Sequence, residues 1–290
     1  MKIDSFINGN TRVVCLVGNP VKHSLSPQIH NHAFRHLDLP FVYIPLSVHP
    51  SLLHSVIHTM RACSFAGANV TIPHKSSAIY YCDELSHLSQ HTGTVNTLYF
   101  KDNRLCGTTT DPQGFYRALS WMGHDLEGSN VVILGNGGTA RTLGIALSLE
   151  NKISSLVICG RNPDRISSLA SHISTITGRL VDYCSLKDSK LKNTLNNCNL
   201  LVNCTSAGMY PDTEKTPLAA DYFHNRMTVF DVIYNPVETR FLAEARRAGC
   251  KTQNGLRMLL YQGLSSFKLW TGIDVPEEIY DIDTLSEMIR

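Results

Sequence analysis

No apolar run in the 290-residue chain approaches the length of a bilayer span, so a membrane-spanning helix is not expected. The opening residues, MKIDSFINGN, lack the apolar core of a signal peptide, and secretion is not expected either. A strong excess of charge of either sign is also missing. A formal net charge of +2 leaves no electrostatic case for nucleic acid or an anionic membrane surface as partner. No Cys-x-x-Cys occurs among the nine cysteines, and their number is odd. That excludes a disulfide framework and a zinc site as first readings. Cys15 and Cys159 sit in apolar runs (VVCLV and LVICG), where a thiol packs as a small hydrophobe in a reduced, cytoplasmic setting. The thirteen histidines form no metal-ligand pattern: His30 and His32 are two apart, on different faces of a helix. They are expected mostly at the surface or in loops. Internal repeats and low-complexity linkers are absent too.

What is present is alternation. Short apolar strands are expected at 11–17, 41–47, 66–70 and 96–100, with helices at 27–36, 51–61 and 75–82. This pattern implies a parallel or mixed α/β sheet. After Gly128 the rhythm starts again. Strands at 130–134, 155–159, 200–203 and 228–232 alternate with helices at 139–149, 163–175 and 239–248, as in a doubly wound sheet. The tail, GLRMLLYQGLSSFKLWTGI, has helical periodicity. The expected fold is therefore α/β: an N-terminal α/β domain over 1–114, a Rossmann-like domain over 115–250, and C-terminal helices over 251–290 returning to the first domain. A cleft between such domains is a natural ligand site.

The stretch VVILGNGGTARTLGIAL carries Gly135-x-Gly137-x-x-Ala140 between a strand and a helix. This is the context a dinucleotide fingerprint requires. Gly135, Asn136, Gly137, Gly138, Thr139 and Ala140 are then candidates to hold a pyrophosphate at a helix N-terminus. An NAD site usually has an acid about 20 residues further on, accepting from the ribose. Here the second strand ends CGRNPDR, with Arg161 at its tip. A guanidinium there suits the 2′-phosphate of NADP, and Arg165 could share it. Asn162 before Pro163 also reads as a helix cap, and Asp164 is the residue that would favour a free ribose.

The first domain carries polar groups in short motifs. In GNPVKHSLSPQIH, Ser24 and Ser26 are two apart, so in extended chain both hydroxyls face one way. Ahead of Pro27 they form a seat for a carboxylate, or Ser26 simply caps a helix. GANVTIPHKSSA places Thr71 at a strand end and Lys75 in an expected first helical turn, where an ammonium opposes the dipole. GTVNTLYF offers Asn96, and GTTTDPQGF offers Asp111 in a polar turn between domains. Lys75 and Asp111 can act as a pair. The carboxylate fixes the ammonium, and the ammonium protonates a developing alkoxide in a ketone reduction.

In this order, GNPVKHSLSP, GANVTIPHK, GTVNTL, TTTD, GNGGTAR, NCTSAGM, FDVIYNP and NGLRMLLYQ resemble the shikimate dehydrogenase family over nearly the whole chain. The resemblance implies reversible NADP-linked reduction of 3-dehydroshikimate to shikimate, toward chorismate and the aromatic amino acids. It implies that Ser24 and Ser26, with Tyr234 nearby, hold the substrate carboxylate. Thr71, Lys75, Asn96, Asp111 and Gln262 would meet the ring hydroxyls, with Lys75 and Asp111 as the reacting pair. Asn203, Thr205, Met209 and Gly255 would line the cofactor's path. Three positions depart from the family. Thr109 stands where Asn is usual, Pro112 where Gly is usual, and Arg257 where Gly is frequent beside the nicotinamide. Pro112 is expected to hold Asp111 extended, and Arg257 to narrow the cofactor site. A dehydrogenase of broader substrate range, acting on quinate or using NAD, is the nearest alternative. A paralogue that only binds would have lost Lys75 or Asp111, and a folate-linked dehydrogenase would not need the paired serines or Gln262. Small-molecule substrates are the expected partners, and a homodimer is compatible with the sequence.

Overall fold

A computed structural model describes residues 7–289. The chain divides into two compact units. One takes the described residues up to Gly114 together with Leu259–Met288, and the other takes Phe115–Met258.

The first unit contains β1 (Arg12–Gly18), α1 (Ser26–His36), β2 (Phe41–Ser47), α2 (Leu53–Ala62), β3 (Gly67–Val70), β4 (Glu84–Leu85), α3 (His87–Thr92), β5 (Thr97–Lys101) and β6 (Arg104–Thr108). α4 (Asp111–Trp121) carries the chain into the second unit. The sheet order is β2-β1-β3-β5-β6-β4. β1 pairs in parallel with β2 and β3, while β5 and β6 form an antiparallel hairpin. The hairpin turn puts Asp102 at φ 50 and Asn103 at φ 60, the left-handed conformation that short polar side chains tolerate. One face of the sheet packs Ile57 and Met60 of α2 on Cys15, Val17, Ala68 and Leu98. On α1, His30 stacks on Tyr43 at 4.5 Å and meets Trp270 at 5.0 Å.

The second unit contains β7 (Asn130–Leu134), α5 (Gly138–Leu149), β8 (Ser155–Gly160), α6 (Pro163–Thr177), β9 (Asp182–Ser185), α7 (Leu191–Asn196), β10 (Leu200–Asn203), β11 (Thr228–Asp231), α8 (Arg240–Arg247) and β12 (Lys251–Gln253). Its sheet is wholly parallel in the order β9-β8-β7-β10-β11-β12. Counted from β7, that is third, second, first, fourth, fifth, sixth, the Rossmann order. The strand order reverses between β7 and β10. Ligands of such folds bind outside the carboxyl ends of the strands at that point.

α9 (Leu256–Thr271) leads back into the first unit, and α10 (Ile282–Glu287) follows it there. α9 seats on the first sheet because Gly67 has no side chain: a Cβ there would collide with Trp270 and the Leu98 carbonyl. Trp270 Nε1 donates to that carbonyl at 2.9 Å. Tyr280, just before α10, donates its hydroxyl to the Ile29 carbonyl at 2.8 Å.

Several expectations are corrected. Residues 75–82 do not form one helix: Lys75 lies in a series of turns, and only Ala78–Tyr81 coil as a short 3₁₀ turn. The Lys75 carbonyl accepts from Val95 N–H at 2.9 Å, so it is committed to the neighbouring chain rather than to a helical ladder. The helix-dipole argument for Lys75 therefore falls. Asp111 opens α4 instead of standing in an extended turn. Pro112 suits this first turn, where a backbone N–H has no intrahelical partner. Most histidines do lie at the surface or in loops, with His30 and His74 buried.

Candidate active site

In the first unit, the loops that carry the candidate residues leave one edge of the sheet. β1 and β3 are parallel neighbours, so the segments after Gly18 and Val70 emerge together. Asn19 N–H donates to the Ile72 carbonyl at 2.9 Å and ties them. β5 is antiparallel to β3, so it starts at that edge, with Asn96 just before it. β6 runs antiparallel to β5 and ends there, delivering Thr109, Thr110 and Asp111.

At this edge Lys75 Nζ lies 2.6 Å from Asp111 Oδ2. The carboxylate is the more enclosed partner, its side chain 10% exposed against 26% for the lysine. Asn96 Nδ2 donates to Asp111 Oδ1 at 2.7 Å, so each carboxylate oxygen has a donor. Asn96 is itself fixed: its Oδ1 accepts from Thr110 N–H and from the Thr97 hydroxyl, both at 2.8 Å. Gln262 of α9 reaches the same cluster, its Oε1 3.1 Å from Asn96 Nδ2, while its Nε2 donates to the Leu259 carbonyl. Lys75, Asp111, Asn96 and Gln262 are thus brought together. Thr71 sits half-buried at the same edge, its N–H donating to the Val17 carbonyl at 2.9 Å.

The serines are arranged differently from an extended pair. Leu25, not Ser26, is the residue before α1, and Ser26 is the first helical residue, buried. Ser24 Oγ accepts from Ser26 N–H at 3.2 Å, which makes Ser24 the hydroxyl at the helix start. Thr109, where the family has Asn, is buried with its hydroxyl unpartnered.

Behind the cluster lies a polar layer that the motifs do not single out. Asn69 Nδ2 donates to Ser266 at 3.0 Å, Ser266 meets Thr97 at 2.7 Å, and Tyr43 donates to Asn69 Oδ1 at 2.8 Å. Ser266 lies four residues after Gln262, one turn on along the same face of α9, a spacing that could have flagged it.

The second unit holds the glycine turn at its switch point. Gly135 has φ +112, and a Cβ there would lie 3.1 Å from the Cys204 carbonyl oxygen, so the turn after β7 presses on the one after β10. Gly137 caps α5, and a Cβ on Gly137 or Gly138 would meet nothing within 4 Å. Open space over a helix start is what a close-lying pyrophosphate requires. Ala140 is fully buried behind it. At the tip of β8, Arg161 and Arg165 are exposed, and Asn162 caps α6 by accepting from Arg165 N–H at 3.1 Å. Its side-chain oxygen is therefore occupied as a cap.

Asn203, at the end of β10, is fully buried. Its Nδ2 donates to Asp231 Oδ1 at 3.0 Å, and its Oδ1 accepts from the Thr205 hydroxyl at 2.7 Å. The side chain braces the loop that carries Thr205 and Met209. Asp231 also accepts from Thr239 at 2.7 Å, yet burial pushes its carboxyl up to about 7. Tyr234, after β11, is held above the ordinary phenol range by burial. Gly255 is bare because the Val232 carbonyl occupies the place of a Cβ. Arg257 does not project as a free charge: its guanidinium stacks 3.4 Å over the Trp121 ring.

Comparison with known proteins covers most of the chain. Three family descriptions match: the shikimate dehydrogenase substrate binding domain at 16–98, shikimate / quinate 5-dehydrogenase at 118–237, and the shikimate 5′-dehydrogenase C-terminal domain at 255–279. A shikimate dehydrogenase (NADP(+)) of Moorella thermoacetica is 41% identical over 275 residues, covering 95% of this chain and 93% of its own. A crystal structure of a shikimate dehydrogenase in complex with NADP+ superposes with a TM-score of 0.92 at 35% identity, covering 100% of both chains. The Thermus thermophilus enzyme, crystallised with NADP(H) and shikimate, gives 0.84 at 32% identity over 97% of this chain and 99% of its own. The chain belongs to the shikimate dehydrogenase family.

Proposed function

We propose that the protein is an NADP-dependent shikimate dehydrogenase, interconverting 3-dehydroshikimate and shikimate on the route to chorismate and the aromatic amino acids. The observation that carries this reading is the 2.6 Å contact between Lys75 Nζ and Asp111 Oδ2 at one sheet edge, with Asn96 behind it. The glycine turn supports the cofactor. The clear space over Gly137 and Gly138 at the start of α5 fits a pyrophosphate, and Arg161 and Arg165 follow the second strand, where a 2′-phosphate needs cations.

Gly135, Asn136, Gly137, Gly138, Thr139 and Ala140 would form the phosphate turn, and Arg161 and Arg165 would take the 2′-phosphate. Asn162 would act through its cap of α6 and Asn203 through its hold on Thr205, with Met209 and Gly255 further along. When bound, NADPH supplies the hydride. The protein's own part is the proton. Lys75 donates a hydrogen bond to the ketone oxygen, stabilises the alkoxide as charge develops, and gives up a proton to it. Asp111 holds the ammonium on target, and Asn96 holds Asp111. Thr71 and Gln262 would meet the other hydroxyls. Ser24, Ser26 and Tyr234 are assigned to the carboxylate. In the oxidative direction Lys75 takes the proton back.

Initial rates with shikimate or quinate, each with NADP+ and NAD+, test the reading. Shikimate with NADP+ is expected to dominate, and a marked preference for quinate with NAD+ would displace it. Lys75→Ala is expected to lower kcat by about 10²–10⁴-fold, the worth of a positioned general acid. Unchanged turnover would leave the assigned proton donor idle. The setting we infer is cytoplasmic, because all nine cysteines are free. Among the described residues no helix is long and apolar enough to cross a membrane. Light scattering decides between a monomer and a homodimer.

A further inference from the structure

Arg141 stands in the first turn of α5, one turn beyond the glycine cap. A cation there opposes the helix dipole, so the position is unfavourable unless an anion answers it. Its Nε is buried with no hydrogen-bond partner in the protein. The side chain lines a cleft of about 400 Å³ with Asn136 of the glycine turn and with Asp164, Arg165, Ser168 and His172 of α6. The cleft therefore opens from the phosphate turn and is walled by the helix that follows Arg161. Two guanidiniums line it against one carboxylate. The Arg141 charge is felt inside: burial first, and then this guanidinium, push the His172 ring below its ordinary value.

Building on the NADP reading, we propose that Arg141 is a specificity-determining residue that grips the 2′-phosphate of NADP(H) from the α5 side, across the cleft from Arg165. The pyrophosphate has its own donors, the backbone N–H groups at the bare start of α5. Arg141 lines the cleft together with residues of α6, the helix that follows the second strand, and it is the end of that strand that meets the adenosine ribose in such folds. A ribose hydroxyl needs no guanidinium, whereas a phosphate dianion is best met by several in fork geometry. Asp164 sharpens the point. Its carboxylate suits a free ribose and repels a 2′-phosphate, and a second cation lining the cleft offsets that repulsion.

The test pairs Arg141→Gln with Arg141→Lys. Calorimetry measures adenosine 2′,5′-bisphosphate against AMP, and steady-state rates compare NADP+ with NAD+ at saturating shikimate. In Arg141→Gln the bisphosphate is expected to bind about 10–100-fold more weakly, the worth of a charge-assisted contact, with a matching fall in the NADP+/NAD+ ratio of kcat/KM. Arg141→Lys, which keeps the charge without the fork, should recover part of the loss and stands in if Arg141→Gln does not fold. Equal losses for both cofactors would make Arg141 a pyrophosphate contact and overturn the proposal, as would an unchanged ratio in both variants. A wild-type protein that binds AMP and the bisphosphate equally would instead overturn the NADP reading on which the proposal rests.

Discussion

Asn96 shows how much one amide can organise. Its oxygen takes two donors from the chain that follows β6 and from β5, and its nitrogen faces Asp111 Oδ1 and Gln262 Oε1. The side chain cannot turn without breaking all of these. Asp111 is therefore presented to Lys75 by a group whose own orientation is determined, which is the preorganisation that proton transfer to an alkoxide needs. Asn96→Ala removes one donor from a largely enclosed carboxylate. A hydrogen bond to a charged group is worth about 1.5–3 kcal/mol, so kcat should fall by roughly 10–100-fold, each 1.4 kcal/mol being tenfold. Circular dichroism would check that the fold persists. A kcat within twofold of wild type would mean that Lys75 alone positions Asp111. At this scale the proposed reacting pair is readable in the sequence, because Lys75 and Asp111 have side chains with few structural uses in such turns, and the structure brings the two together. Arg141 closes the GNGGTAR stretch, which by itself assigns it no role, although a cation in the first turn after a glycine cap carries the same kind of signal. The family resemblance places Asn203 along the cofactor's path, and only its hydrogen bonds to Asp231 and Thr205 reveal it as a brace.

Elements differ in how openly they declare themselves. β1, β7, β8 and β10 are central strands, buried on both faces, and their apolar runs are plain. β4, β9 and β12 are edge strands of two to four residues with exposed positions, and no hydrophobic period marks them. β6 is hidden because its hairpin turns on Asp102-Asn103 instead of an Asn-Gly pair. α9 is readable as a helix from its period, but its docking depends on something a period cannot carry, the missing side chain of Gly67. Gly67→Ala places a methyl group where the Trp270 indole and the Leu98 carbonyl already sit. Overpacking of this kind costs about 1–3 kcal/mol. The denaturant midpoint should fall and Trp270 fluorescence shift to the red as the indole loses its bond to Leu98. Because Gln262 is on α9, KM for shikimate should rise as well. An unaltered midpoint would show that α9 does not depend on this close approach.

On the scale of the whole molecule, the buried groups His30 and Asp231, one in each unit, affect stability in opposite directions. His30 is packed against Tyr43, Phe267 and Trp270, and burial drives its pKa down to about 3. In the unfolded chain it titrates near about 6.5. Between those values the unfolded state binds more protons, so acid destabilises: the His30 contribution is intact above about pH 6.5 and is lost as pH falls toward 3. Asp231 has the reverse sign. Burial raises its pKa to about 7, against 3.8 ordinarily, so between those values the folded state holds the extra proton. Its contribution is full below pH 3.8 and is lost as pH rises through about 7. From about pH 4 to 6.5 the two slopes nearly cancel, and the intact protein should show little dependence from this pair. Urea titrations of wild type, His30→Leu and Asp231→Asn across roughly pH 4–8 would expose it. His30→Leu should become steadily more stable relative to wild type as pH falls below about 6.5, and Asp231→Asn should gain relative to wild type as pH rises toward about 7, with both differences flat above about pH 8. If either variant keeps the wild-type pH profile unchanged, that group is not titrating in the folded chain as its burial requires, and the apparent evenness of the native protein has another source.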